Sequence, residues 1–214
     1  MTLTRNPKER EVLSDKSVAV ISYGSAGSAI ADILVRSGRG KVVLIDPETV
    51  SHKNLARHML SLKDLARPKV AAMRERLLDI NTGCLIESRQ EAFRDVEADV
   101  VVSCAGSYKC ESLVNNASLR EDIPAVYVGC RGATRIPGQE GLWANILVVA
   151  GVAFQVTLEL FELRETIDYE HALWLVNISD YKSNLQPLAV TFGTVRKGCA
   201  VCDESNLSEL SLET

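Results

Sequence analysis

A β-prone run that breaks into a glycine turn and resumes at once as a helix can fold in few ways, and this chain carries such a break near its start. Ser17-Val18-Ala19-Val20-Ile21 reads as a short, buried parallel strand. Ser22-Tyr23-Gly24-Ser25-Ala26-Gly27 is then the turn, and Ala26, Ile30, Ile33 and Leu34 form the apolar stripe of a helix running to Ser37. Gly38 is placed to end that helix in the left-handed conformation. Lys41-Val42-Val43-Leu44-Ile45, closed by Asp46-Pro47, is a second strand, so a right-handed strand-helix-strand crossover is expected.

The rest of the chain extends this half-unit. A helix is expected from Pro68, burying Val70, Met73, Leu77 and Ile80. Strands are predicted at 85–87, 99–103 and 125–128, with a helix at 111–119. Beyond Pro137 comes a long, mostly apolar helix over 142–161, then a polar connection at 164–169 and weaker strand-like runs at 173–178 and 188–192. Asn145, Gln155, Thr157 and Glu159 interrupt the apolar stretch and argue against a membrane span; burial in the core or in a dimer interface fits better. The expected fold is α/β and Rossmann-like: a mostly parallel sheet with helices on both faces, followed by the long apolar helix. The glycines and prolines are scattered and mark no linker. Residues 1–16 therefore read as an N-terminal segment, 17–202 as one nucleotide-binding domain and 203–214 as a polar tail.

A net charge of −4, with both signs mixed along the chain, provides no basic field for nucleic acid. The polar start, Met1 to Asp15, lacks the apolar stretch of a secretory signal, which predicts a cytoplasmic protein with reduced cysteines.

A phosphate near Gly24, Ser25 and Gly27 would meet unpaired amides and the positive end of the helix dipole. Ser22 stands where a dinucleotide fingerprint has its first glycine. Asp46 follows the loop by about twenty residues, the spacing at which a strand-end carboxylate accepts hydrogen bonds from ribose hydroxyls. Alternatively, the two glycines serve helix packing alone and Asp46 only caps a turn with Pro47.

After the strand end come Asp46-Pro47-Glu48, then Asn54-Leu55-Ala56-Arg57-His58, then Arg67-Pro68-Lys69. Taken in order with the loop, these residues resemble the ThiF/MoeB/HesA adenylyltransferase family, which includes the ubiquitin-activating enzymes, over about Val18 to Cys202. The resemblance implies an enzyme that binds ATP with magnesium and adenylates the C-terminal carboxylate of a small ubiquitin-like or sulfur-carrier protein, releasing pyrophosphate. A homodimer is expected, with Arg5 or Arg10 as weak candidates for an arginine reaching the partner's ATP. Bringing a carboxylate onto a phosphate requires fixed cations, and Arg57 and Lys69 are the candidates; Asn54 would hold a phosphate oxygen or a metal-bound water. Replacing either cation by alanine should then cost activity with little loss of fold.

The chain also departs from that family. Many members carry Thr-Asp where Ala105-Gly106 follows the strand at 99–103, and that Asp organises magnesium. Magnesium is then left to Asp46, Glu48 and the triphosphate, or else ATP binds poorly and the chain serves as a scaffold or partner subunit. Residues 135–141 run into the apolar helix without a cysteine, so a covalent transfer step is not expected, and Cys130 reads as a small buried residue. Cys199 and Cys202 have zinc-ligand spacing but no second pair, which leaves zinc completed from elsewhere, free thiols or a redox pair. A nicotinamide-dependent oxidoreductase would use the loop and Asp46 but neither Asn54, Arg57 nor Lys69.

Overall fold

Strand β1 (Ser17–Ile21) and strand β2 (Lys41–Ile45) each bury four residues after a half-buried first one. That is the pattern of strands covered on both faces. The computed structural model describes residues 14–38, 40–128, 143–163, 172–173 and 191–192. Within Met1–Arg164, the first of two compact units, β1 and β2 join β3 (Leu85–Arg89), β4 (Val100–Ser103) and β5 (Ala125–Tyr127) in one sheet. Its order is β3-β2-β1-β4-β5, and every pairing is parallel.

Side-chain alternation sorts the strands into two layers. Val18, Val20, Val42, Leu44, Val100 and Val102 join one apolar cluster with the buried residues of α1 (Ser25–Arg36), α3 (Lys69–Ile80) and α5 (Trp143–Leu163). Ala19, Ile21, Val43, Ile45 and Val101 join the other, with Phe93, Val96 and two residues of α4 (Tyr108–Arg120), Val114 and Ala117. A four-residue helix, α2 (His52–Leu55), lies between β2 and α3. Ile30 and Leu34 of α1 are fully buried, each stabilising the fold by about 1.5–3 kcal/mol. Gly38 ends α1 at φ +83°, in the left-handed region expected for it.

The expected strands and helices from β1 to β5 form, with shifted ends. β3 is two residues longer than its apolar run, because its ladder with β2 continues to Ile45↔Arg89. Helix α4 begins at Tyr108, ahead of the predicted 111, because Ser107 caps it: the Cys110 N–H donates to Ser107 Oγ at 3.2 Å. Of the apolar positions assigned to α3, Val70, Met73 and Leu77 are buried and Ile80 is half-buried.

In α5, Ala150, Ala153, Phe154, Val156, Thr157 and Leu158 are buried, while Leu147 is 43% exposed. Among the described residues, no helix is long and apolar enough to cross a membrane. In the second unit, Glu165–Thr214, the described residues are Ala172–Leu173 paired antiparallel with Thr191–Phe192. The other residues of the two strand-like runs predicted there lie outside the described residues.

The sheet grows in opposite directions from β1, towards β2 on one side and β4 on the other. Such a reversal opens a crevice beyond the carboxyl ends of the strands, and the glycine turn leaves β1 at that edge.

Candidate functional site

The turn after β1 is held by backbone geometry. Ser22 sits at φ +68° and its N–H donates to the Ile45 carbonyl at 2.8 Å. That left-handed conformation favours glycine, and serine, lacking a β-branch, tolerates it at modest cost. A Cβ on Gly27 would lie 2.3 Å from the Ser22 carbonyl oxygen, so the close approach of α1 to the turn demands glycine there. Gly24 differs: a Cβ there would meet nothing within 4 Å. No side chain caps α1 at Gly24, and Ser28 is the first amide to bond back, to the Gly24 carbonyl at 3.1 Å. The amides of Ser25, Ala26 and Gly27 have no acceptor within the helix. A half-buried helix start with unpaired donors is a seat for an anion.

Beneath the turn lies a buried ionic cluster. Asp46 is only 1% exposed, and both of its oxygens are engaged: Oδ2 accepts from the Tyr23 N–H and Oδ1 from the Glu48 N–H at 2.7 Å. Burial raises its pKa above the usual carboxylate value, against the lowering effects of those amides and of Lys69. Lys69 is buried as well, with Nζ 3.9 Å from Asp46 Oδ2 and in contact with the carboxylate of Glu48, whose side chain is otherwise exposed. A short antiparallel bridge, Thr49↔Pro68, puts it there, with the Lys69 N–H donating to the Glu48 carbonyl at 3.0 Å.

His58 joins this cluster from the end of the Asn54–His58 stretch. Its Nε2 lies 2.7 Å from the Tyr23 carbonyl oxygen, and the Leu60 N–H donates to its Nδ1 at 3.2 Å. Only the neutral tautomer with hydrogen on Nε2 satisfies both bonds. Burial lowers the His58 pKa, in keeping with that form.

The rim is more open. The Asn54 Oδ1 accepts from the Ser51 N–H at 2.8 Å and from Ser51 Oγ at 3.0 Å, closing a capping box at the start of α2. That leaves the Asn54 amide nitrogen as its available group, a donor suited to a phosphate oxygen and unsuited to a metal ion. Arg57 is exposed and has no ion pair among the described residues. On the β4 side, Gly106 takes φ +61° with open space around it, and Cys104 stands across from Gly27.

The structure thus brings Gly24, Ser25, Gly27, Asp46, Glu48 and Lys69 around one turn and sets Asn54 and Arg57 on the short helix and the residues just after it. Cys199, Cys202, Cys130, Arg5 and Arg10 lie outside the described residues. Among the described residues no group of three or more His, Cys, Asp or Glu side chains is placed to hold a metal ion. Each Asp46 oxygen already accepts from an amide, and Lys69 Nζ stands 3.9 Å from Oδ2. Lys69, buried between two carboxylates, is placed to support the fold as well as any ligand. Sequence reading named His58 only as the end of a motif and missed its role. The available signal was a lone histidine where the polar stretch turns apolar at Met59 and Leu60.

Comparison with known proteins gives this geometry its family. The ThiF family matches residues 3–156. The sulfur carrier protein ThiS adenylyltransferase of Bacillus subtilis is 31% identical over 147 residues, 62% of this chain and 44% of that protein. The tRNA threonylcarbamoyladenosine dehydratase of the same organism is 31% identical over 125 residues, 54% of this chain and 49% of that protein. The chain therefore spans about half the length of these curated relatives. Among solved structures, the E. coli dehydratase TcdA superposes with a TM-score of 0.64 at 18% identity, covering 75% of this chain and 92% of that one. E. coli MccB, solved with ATP, superposes at 0.63 and 20% identity, covering 72% of this chain and 57% of that one. These structures share the fold. On the match over 3–156, the chain belongs to the ThiF family.

Proposed function

We propose that this chain binds ATP at the start of α1 and adenylates a carboxylate, that of the C-terminus of a small ubiquitin-like or sulfur-carrier protein. The observation that carries the reading is the uncapped helix start at Gly24, with Gly27 drawn onto the Ser22 carbonyl and open space over Gly24. The amides of Ser25, Ala26 and Gly27 would hold phosphate oxygens, and the Asn54 amide nitrogen and the Arg57 guanidinium would add donors from the rim. Lys69 would lend charge from below, where the exposed partner in its ion pairs is Glu48. A carboxylate oxygen of the carrier would attack the α-phosphorus; the bond to the bridging oxygen would break and pyrophosphate would leave. Arg57 and the amides would offset the negative charge that gathers there. A homodimer in the cytoplasm, with residues 17–202 acting as one adenylating domain, completes the proposal.

The test is ATP–pyrophosphate exchange in the presence of candidate carriers ending in Gly-Gly, with NADH offered beside ATP in binding measurements. Exchange that depends on a carrier supports the proposal. Its absence with every carrier, together with no ATP binding at millimolar concentration, would sink it. A second reading, a weakened binding or scaffold subunit, draws on Gly106, which offers no carboxylate on the β4 side of the crevice. ATP binding without exchange would favour it.

A further inference from the structure

A peptide plane points its carbonyl and its N–H in opposite directions. The plane joining Tyr23 to Gly24 presents its carbonyl to His58 Nε2 at 2.7 Å, so the Gly24 N–H points to the other side. That amide has no partner among the described residues. Gly24 is also the residue at which such a plane turns over most readily, because glycine accepts either sign of φ and a side chain here would meet nothing. On the Gly24 side no packing opposes that rotation, and on the Tyr23 side the carbonyl is held by His58 Nε2.

The bond comes from a firmly held donor. His58 is 7% exposed, its Nδ1 is occupied by the Leu60 N–H, and the following Met59 N–H reaches Ser28 Oγ on α1 at 3.4 Å. On the other side of the same residue, the Tyr23 N–H is held by Asp46. The segment after α2 is thereby stitched to the turn, and the ring is committed at both nitrogens.

We propose that His58 is a positioning residue: by holding the Tyr23 carbonyl it keeps the Tyr23–Gly24 peptide from turning over and so keeps the Gly24 N–H facing the anion seat. The effect on nucleotide affinity rests on the ATP reading above; the effect on the turn does not.

Two substitutions separate this role from packing. Glutamine places an amide nitrogen at about the reach of His58 Nε2 and keeps the donor to Tyr23, but loses the acceptor for Leu60. Asparagine places its oxygen near Nδ1 and keeps that acceptor, but is too short to reach Tyr23. Both lose ring volume. His58→Asn is expected to speed hydrogen exchange of the amides at 22–28 in the ligand-free protein. It should also weaken ATP binding about five- to tenfold, while His58→Gln stays within about twofold of the parent on both readouts. Equal shifts in the two variants would overturn the proposal, because a packing role moves both alike. So would a His58→Asn protein with unchanged exchange at 22–28, or one with faster exchange and unchanged ATP affinity. Should the parent protein bind no ATP at millimolar concentration, the function proposed above falls, and the exchange measurement alone decides whether His58 holds the turn.

Discussion

The two flanks of β1 differ sharply at the carboxyl edge of the sheet. On the β2 flank, Asp46, His58 and Lys69 are all buried and tied to the turn by bonds across 23 to 35 residues of sequence or, for Lys69, through its ion pair with Asp46. On the β4 flank stand Gly106 in open space and the half-buried Cys104. Ser103 Oγ is buried there without a hydrogen-bond partner, and Tyr108 and Tyr127 expose apolar surface. The β2 flank is built to hold one turn in one shape. The β4 flank constrains little, and Gly106 offers no carboxylate there.

The largest effect that would sharpen this contrast is at Lys69. Removing one partner of a buried ion pair leaves the other charged and unpaired, so Lys69→Ala should lose roughly 3–5 kcal/mol of stability in urea unfolding. Arg57→Ala, at the exposed rim, should stay within about 0.5 kcal/mol. In the adenylation assay Arg57→Ala should still lose on the order of 2–4 kcal/mol of transition-state stabilisation. If Lys69→Ala proves as stable as Arg57→Ala, the β2 flank is not the anchor described here.

Next comes the pair of glycines within the turn. Gly27→Ala forces a Cβ against the Ser22 carbonyl and should cost about 1–3 kcal/mol in thermal or urea unfolding. Gly24→Ala should leave stability within about 0.5 kcal/mol, yet weaken ATP binding if the anion seat lies over it. Similar stability losses in both variants would contradict the open space at Gly24.

On the β4 flank, Gly106→Asp probes whether the missing carboxylate is all that flank lacks. Aspartate tolerates the left-handed backbone better than most residues, so a cost of about 1 kcal/mol is expected. Calorimetry should then show tighter ATP binding in the presence of magnesium than without it. An affinity for ATP that stays indifferent to magnesium would mean that the flank differs in more than one residue.

The smallest effect is in pH dependence. His58 is held neutral by burial, its pKa lowered from 6.5, with Tyr23, Lys69, Asp46 and Asp64 around it. Below pH 6.5 the unfolded chain takes up a proton that folded His58 refuses, so stability should fall as pH drops from 6.5 towards the lowered value. Asp46 works the other way: its pKa is raised above 3.8, so its contribution improves as pH falls through that raised value. His58→Gln should flatten the first slope and leave the second, as read from unfolding midpoints across pH 7 to 5. A slope unchanged in that variant would mean another group carries it.

Much of this molecule was legible before any coordinates. The strands at Ser17–Ile21 and Lys41–Ile45, the helix between them and the left-handed Gly38 are written in local signals: a β-branched run, a three-to-four-residue apolar stripe and a glycine at its end. The ordered Asp46, Asn54, Arg57 and Lys69 were enough to name the family. Local sequence carries such features because backbone preference and periodicity act within a few residues. Tertiary structure alone decided which of those residues are buried. Arg57 and Lys69 look alike as charges in the sequence, yet the bridge between Thr49 and Pro68 sinks Lys69 onto Asp46 and leaves Arg57 in solvent. Gly24 and Gly27 look alike as turn residues, yet only Gly27 meets the Ser22 carbonyl. His58 is silent until its ring is found between Leu60 and Tyr23. Burial and hydrogen-bond partnership depend on which distant segments the topology brings together, and no short-range signal encodes that.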